Sequence, residues 1–148
     1  MAAHLNKVTR AAHLDIACGR YQDTVPDRSY RDPVSFVHRF SGDADREIGG
    51  FIAAQFAYGK IGLFMDFLER LFRAMDGSPA RFVEAGQWDA LKGFYYRLHK
   101  DSDIVTLFEV LKDILSDHGT FGAMFRSLYA GNTQEAIWRI QEKYLPGT

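Results

Sequence analysis

The sequence predicts an all-α fold, a compact multi-helix bundle. Three observations carry that expectation. Apolar residues recur at i, i+3, i+4 and i+7 along most of the chain, and alternating strand patterns are scarce. Proline stands only at 26, 33, 79 and 146, which leaves long stretches free for helix. Segment after segment opens on a residue that caps helices.

The elements follow in order. About residues 5–21 form a first helix, with Leu5, Val8, Ala12 and Ile16 on one face. Residues 23–31 read as loop around Pro26. Asp32-Pro33 is an N-cap followed by proline at the first helical position, where the missing N–H costs nothing. That short helix reaches about Phe40 and ends near Ser41-Gly42. Asp43 caps the next helix, which runs to about Tyr58. Its bulky side is Ile48, Phe51, Ile52 and Phe56; its small side is Gly50, Ala53, Ala54 and Ala57. A helix apolar on both sides is expected at the centre of a domain. Each glycine of Gly49-Gly50 costs a helix about 1 kcal/mol relative to alanine, so close packing is the simplest reason for the pair.

Gly59 breaks the chain, and residues 60–75 are amphipathic through Ile61, Phe64, Met65, Leu68, Leu71, Phe72 and Met75. Asp66/Arg70 and Glu69/Arg73 are i,i+4 pairs on the wet side. Ser78-Pro79 starts a short helix, and a brief segment over residues 88–93 leads into Phe94-Tyr95-Tyr96-Arg97. Asp101-Ser102-Asp103 opens a long helix to about Asp117, inward through Ile104, Leu107, Phe108, Leu111, Ile114 and Leu115, with Gly119 as its terminal cap. Residues 121–129 form a short helix with Phe125 and Leu128 inward. Asn132-x-x-Glu135 resembles a capping box for a last helix to about Tyr144, stopped by Pro146-Gly147.

Composition bounds the rest. At 148 residues, 47% apolar and 14% aromatic, the chain is long and apolar enough for one globular domain, 1–148, with a real core. Eighteen Lys and Arg balance nineteen Asp and Glu for a net charge of −1, so a nucleic-acid role needs a local basic patch. Cys18 is the only cysteine, which excludes an intrachain disulfide and suits a reducing cytoplasm. No apolar run approaches the ~18 residues of a membrane span, and the N-terminus lacks a signal-peptide core. The expected setting is cytoplasmic, with no membrane partner. Histidines at 4, 13, 38, 99 and 118 show no HxxxH spacing, and no phosphate loop, GxGxxG or GxSxG motif occurs. No metal or cofactor is therefore expected.

Several constellations carry chemistry. Asp45-Arg46-Glu47 puts charge at a helix mouth, where Arg46 either contacts an anion or clamps a neighbouring helix, and the acidic pair complements the helix dipole. The architectural role leads, because Arg46 shares a side with Gly50 and Ala53. Asp32 reads as a cap, His38 as a surface histidine, and Arg39 as a partner for an acid within residues 43–47. Tyr58-Gly59-Lys60 puts a lysine beside an aromatic and a chain break, either solvated or near a phosphate. Lys92, Tyr95, Tyr96, Arg97, His99 and Lys100 form an aromatic-basic patch, able to stack bases and hold phosphates or to serve as a core tyrosine pair beside a helix cap.

These residues resemble an uncharacterised bacterial family of conserved proteins. Its pattern runs D-P-x-x-F-x-x-R-[FY], met by Asp32 to Phe40, then D-R-E-[IV], met by Asp45-Arg46-Glu47-Ile48. A-x-x-A-[YF]-G-[RK] follows at Ala54 to Lys60, and M-G-x-S-P at Met75-Asp76-Gly77-Ser78-Pro79. This chain carries an extra Asp76 and has Lys60 where arginine is common. Members of the family continue past this point with a basic, aromatic segment and a P-L-D-T-H-like motif, similar to one in helix-hairpin-helix DNA glycosylases. The resemblance therefore implies the N-terminal helical lobe of a glycosylase-like protein, without the residues for chemistry.

Three function classes follow. A non-catalytic nucleic-acid-binding lobe, with DNA as partner, would use Arg39, Arg46, Lys60, Tyr96 and Arg97 and predicts that its cations share one exposed surface. An interaction module would pair with a second copy or a missing C-terminal half. An independent enzyme would need Asp45 and Glu47 as acid and base, with one carboxylate of raised pKa.

Overall fold

The structure, a computed structural model, describes residues 32–145. The chain divides into two units, residues 1–30 and 31–148, and the described residues belong to the second. The expected helix over residues 5–21, the loop before Asp32, Cys18 and the Pro146-Gly147 stop lie outside the described residues.

The described residues form seven α-helices, one 3-10 turn and no strand, an all-α fold. They are α1 (Val34–Val37), α2 (Asp43–Phe56), α3 (Ile61–Ala74), α4 (Pro79–Ala85), the 3-10 turn Trp88–Leu91, α5 (Asp101–His118), α6 (Phe121–Leu128) and α7 (Thr133–Tyr144). α2 is the hub: it packs against α1, α3, α4 and α6. α5 closes the other side, touching α4, α6, α7 and the 3-10 turn.

The core is a chain of rings. Phe72 of α3 meets Phe36 at 5.0 Å and Phe40 at 5.6 Å between centroids. Phe67 meets Phe56 at 4.9 Å and Tyr96 at 4.8 Å. Phe108 of α5 meets Phe82 at 6.0 Å and Trp88 at 5.9 Å. Burying each such side chain contributes about 1.5–3 kcal/mol, which outweighs the weak helix propensity of phenylalanine.

Four expectations change. α2 is not buried all round: Ala54 and Gln55 face solvent, while Ile48, Gly49, Ile52, Ala53 and Phe56 are buried. Its close approach is at Gly49, where the Phe40 ring lies so near that a Cβ would sit 2.4 Å from it. In α3, Ile61 is half exposed in the first turn, and Phe67, outside the expected face, is buried by rings from distant segments. In α6 the buried residue is Met124, with Phe125 and Leu128 only partly covered. In α5, Leu107 is partly covered, and the other five expected inward residues are buried.

Candidate functional site

The site starts where α2 stops. Gly59 takes φ +90°, a left-handed backbone that glycine tolerates, and Lys60 then enters α3 in extended conformation. Against this corner sits the turn Tyr96-Arg97-Leu98-His99. Tyr96 and His99 exchange two backbone hydrogen bonds of 2.9 Å, which makes Arg97-Leu98 a two-residue loop. Tyr96 is buried, stacked on Phe67 and edge-on to Tyr58 at 5.2 Å, and its hydroxyl donates to the Tyr58 carbonyl. The Arg97 guanidinium lies 5.8 Å over the Tyr58 ring. It also lies so close to Gly59 that a Cβ there would stand 2.5 Å from Nη1. Residues 58–60 and 95–100 thus form one surface corner.

The electrostatics follow from that packing. The Tyr58 hydroxyl is buried without a hydrogen-bond partner. Burial, and then Tyr96, push its pKa up, while Arg97 pulls it down. Tyr95, next to Tyr96 in sequence, is 59% exposed. The Asp101 carboxylate accepts from Gly93 N–H at 2.8 Å and Ser102 N–H at 2.9 Å, bonds that hold its pKa below the ordinary carboxylate range. Beside the corner a recess of about 150 Å³ opens between Gln55 and Phe56 of α2 and Asp103, Ile104 and Leu107 of α5, with His99 on its wall. The His99 ring stands edge-on to Phe56 at 6.0 Å and Tyr58 at 6.1 Å.

The Asp45-Arg46-Glu47 triplet lies at the other end of α2 and reaches three segments. Asp45 accepts from Ala80 N–H at 2.9 Å and from the Ser78 hydroxyl at 3.3 Å, capping α4 from outside. Arg46 Nε donates to the Phe40 carbonyl at 2.9 Å, and its Nη1 pairs with Asp43 at 3.2 Å. Glu47 accepts from Gly122 N–H at 3.1 Å, in the first turn of α6. A Cβ at Gly122 would stand 2.8 Å from Glu47 Oε1, so a larger residue there would move the tip of the Glu47 side chain. Asp32 caps α1 through Val34 N–H at 2.9 Å. Arg39 does not pair within residues 43–47; it reaches Glu69 of α3 at 2.7 Å and lies 4.4 Å over Phe36.

The five contact candidates therefore fall into two groups. Arg39 and Arg46 both serve the region around Phe40, at the start of α2. Lys60, Tyr96 and Arg97 gather at its end. Ten residues of α2 lie between Arg46 and the end of the helix, about 15 Å. Sequence reasoning missed the long-range capping by Asp45 and Glu47, which no local spacing signals. It also missed the exposed tip at Leu98 and the His99 recess. Among the described carboxylates, those whose pKa departs from the ordinary range, Asp101 and Asp117, are both lowered. No group of three or more His, Cys, Asp or Glu side chains among the described residues is placed to hold a metal ion. No described helix is long and apolar enough to cross a membrane.

A family model described as "Protein of unknown function (DUF2400)" matches residues 32–146. No curated protein and no solved structure matches the chain.

Proposed function

The chain belongs to the DUF2400 family, and from that premise we propose that it is a helical lobe of a nucleic-acid-binding protein, not catalytic by itself. One observation carries the reading. Segments almost forty residues apart meet where Arg97 packs on Gly59, which precedes Lys60 in sequence; the exposed Tyr95 adjoins Tyr96, which anchors the corner from inside. Cations next to a free aromatic face are what a phosphate backbone and an unstacked base require. Lys60 and Arg97 supply the charge, Tyr95 the stacking surface, and Tyr96 positions them. Arg39 and Arg46 serve the fold. The glycosylase-like kinship implied by the sequence motifs belongs to this proposal and agrees with an all-α lobe.

A second reading, a partner-binding or dimerising module, has its own observation: α7 exposes Trp138 at 59% and Ile137 at 47%. Titration of fluorescent DNA and RNA oligonucleotides at low and physiological salt separates the two. On the first reading, binding weakens with salt, and Lys60→Ala and Arg97→Ala each reduce the salt slope by about one. Arg46→Ala then lowers thermal stability and leaves the slope alone. Absence of binding at low salt, or equal loss in all three variants, rejects it in favour of the module.

A further inference from the structure

Leu98 is the most exposed large apolar residue described, at 86%. It does not hang on a loose loop. Its turn is closed by the reciprocal Tyr96–His99 hydrogen bonds and rooted by Tyr96 in the core. Arg97, beside it, holds φ +55°, a backbone that side chains other than glycine rarely adopt. The two-residue turn demands a positive φ at this first central position, and the reciprocal hydrogen bonds hold it there. The effect here is to present one aliphatic side chain to solvent at a fixed place.

The tip is flanked by cations. Arg97 precedes it, Lys100 follows two residues on, and Lys60 adjoins through the Gly59–Arg97 approach. Among the described residues none of the three is in an ion pair. Asp101 and Asp103 follow closely and bring two negative charges, which the three cations outnumber; both accept from backbone N–H groups, Asp101 from Gly93 and Ser102, Asp103 from Lys100.

We infer that Leu98 is a wedge that enters the base stack of a nucleic-acid duplex and partly unstacks one step, while Lys60, Arg97 and Lys100 hold the flanking phosphates. The inference rests on the nucleic-acid reading above and goes further, naming a duplex as the ligand. An aliphatic side chain driven between base pairs by a positively charged surface is a general means of unstacking and kinking. Leu98 forfeits no packing in the folded chain by moving there, and it leaves water for an apolar slot.

The test uses the full chain and a DNA duplex of roughly 20 base pairs carrying 2-aminopurine at a central TpA step, the kind of step most easily unstacked. Binding is followed by anisotropy and unstacking by 2-aminopurine fluorescence. The wild-type chain is expected to raise the fluorescence as it binds. Leu98→Ala is expected to bind several-fold more weakly with an unchanged salt slope and to lose the fluorescence rise; Leu98→Phe is expected to keep it. Salt-dependent duplex binding without a rise, or a rise that survives Leu98→Ala, overturns the wedge and leaves the nucleic-acid reading standing. Binding to single strands alone does the same. No binding to duplex or single strand overturns both.

Discussion

Gly49 and Gly50 are adjacent in α2 and have opposite reasons to be there. At Gly49 a Cβ would press into the Phe40 ring, itself buried against Phe72. At Gly50 a Cβ would meet Val37 Cγ2 at 3.4 Å, ordinary contact. Gly49→Ala is therefore expected to lower stability by about 1–3 kcal/mol through overpacking, despite its better helix propensity. Gly50→Ala is expected to raise stability by up to about 1 kcal/mol, because only the propensity changes. Thermal melts of the two variants decide it; equal effects would mean that Gly49 is not the close-packed position. A glycine pair inside a helix announces close packing in the sequence, but which of the two carries it depends on Phe40, which arrives from α1. Arg97 offers a second comparison. Arg97→Ala and Arg97→Gly both remove the guanidinium, but only alanine pays for φ +55°. The glycine variant should be the more stable by about 1 kcal/mol in urea melts, and the reverse order would mean that the turn is not strained.

Helix ends are the elements that the triplet organises. Every α-helix leaves N–H groups without partners at its start. α4 and α6 fill theirs partly from α2, through Asp45 and Glu47. One turn of one helix thereby fixes the starts of two others, and Arg46 fixes the chain leaving α1 through the Phe40 carbonyl. Asp45→Ala and Glu47→Ala should each cost about 0.5–2 kcal/mol, the range for a lost cap. Amide exchange gives the sharper reading: Asp45→Ala should speed exchange at Ala80 and leave Gly122 alone, and Glu47→Ala should do the opposite. Exchange that rises evenly across the helices in either variant would show general loosening instead of capping. Of the caps read beside their own helices, Asp32 and Asn132 accept first-turn N–H groups, whereas Asp43 lies inside α2 after Gly42 and Ser78 leaves the Ala80 N–H to Asp45. Asp45 bonds a residue 35 positions away and Glu47 one 75 away, so no spacing rule reveals either partner.

At the scale of the whole molecule, periodicity and breakers made the helices of residues 32–145 legible to within a few residues. How their ends meet was not, because the contacts that decide it join rings and charges far apart in sequence: Phe67 with Tyr96, Gly59 with Arg97, Arg39 with Glu69. The docking of α7 shows the consequence most simply. α7 buries only Ala136 fully, so apolar contact alone holds it weakly. Its far end is tied to the end of α5 by Asp117, which accepts from Lys143 Nζ at 2.9 Å and from the Tyr144 hydroxyl at 3.1 Å. Those two bonds, Lys143 first, hold the Asp117 carboxyl below its ordinary value of 3.8, and the Asp117 bond raises Lys143 above 10.5. The sign follows from linkage. A carboxylate whose pKa is lowered on folding adds stability above its unfolded pKa and loses it as pH falls through the folded one. A lysine whose pKa is raised adds stability below 10.5 and loses it as pH climbs through its folded value. The docked α7 should therefore loosen as pH falls below 3.8 and Asp117 takes up a proton, and again at strongly alkaline pH as Lys143 gives one up. Both groups are exposed, so solvent and salt screen the tie and the loosening stays local to α7. Amide exchange along α7 measured against pH reads it directly, with α5 as the internal reference. Asp117→Asn should weaken α7 protection at neutral pH and flatten its acid dependence. Acid loosening that persists unchanged in Asp117→Asn would place the responsible carboxylate elsewhere.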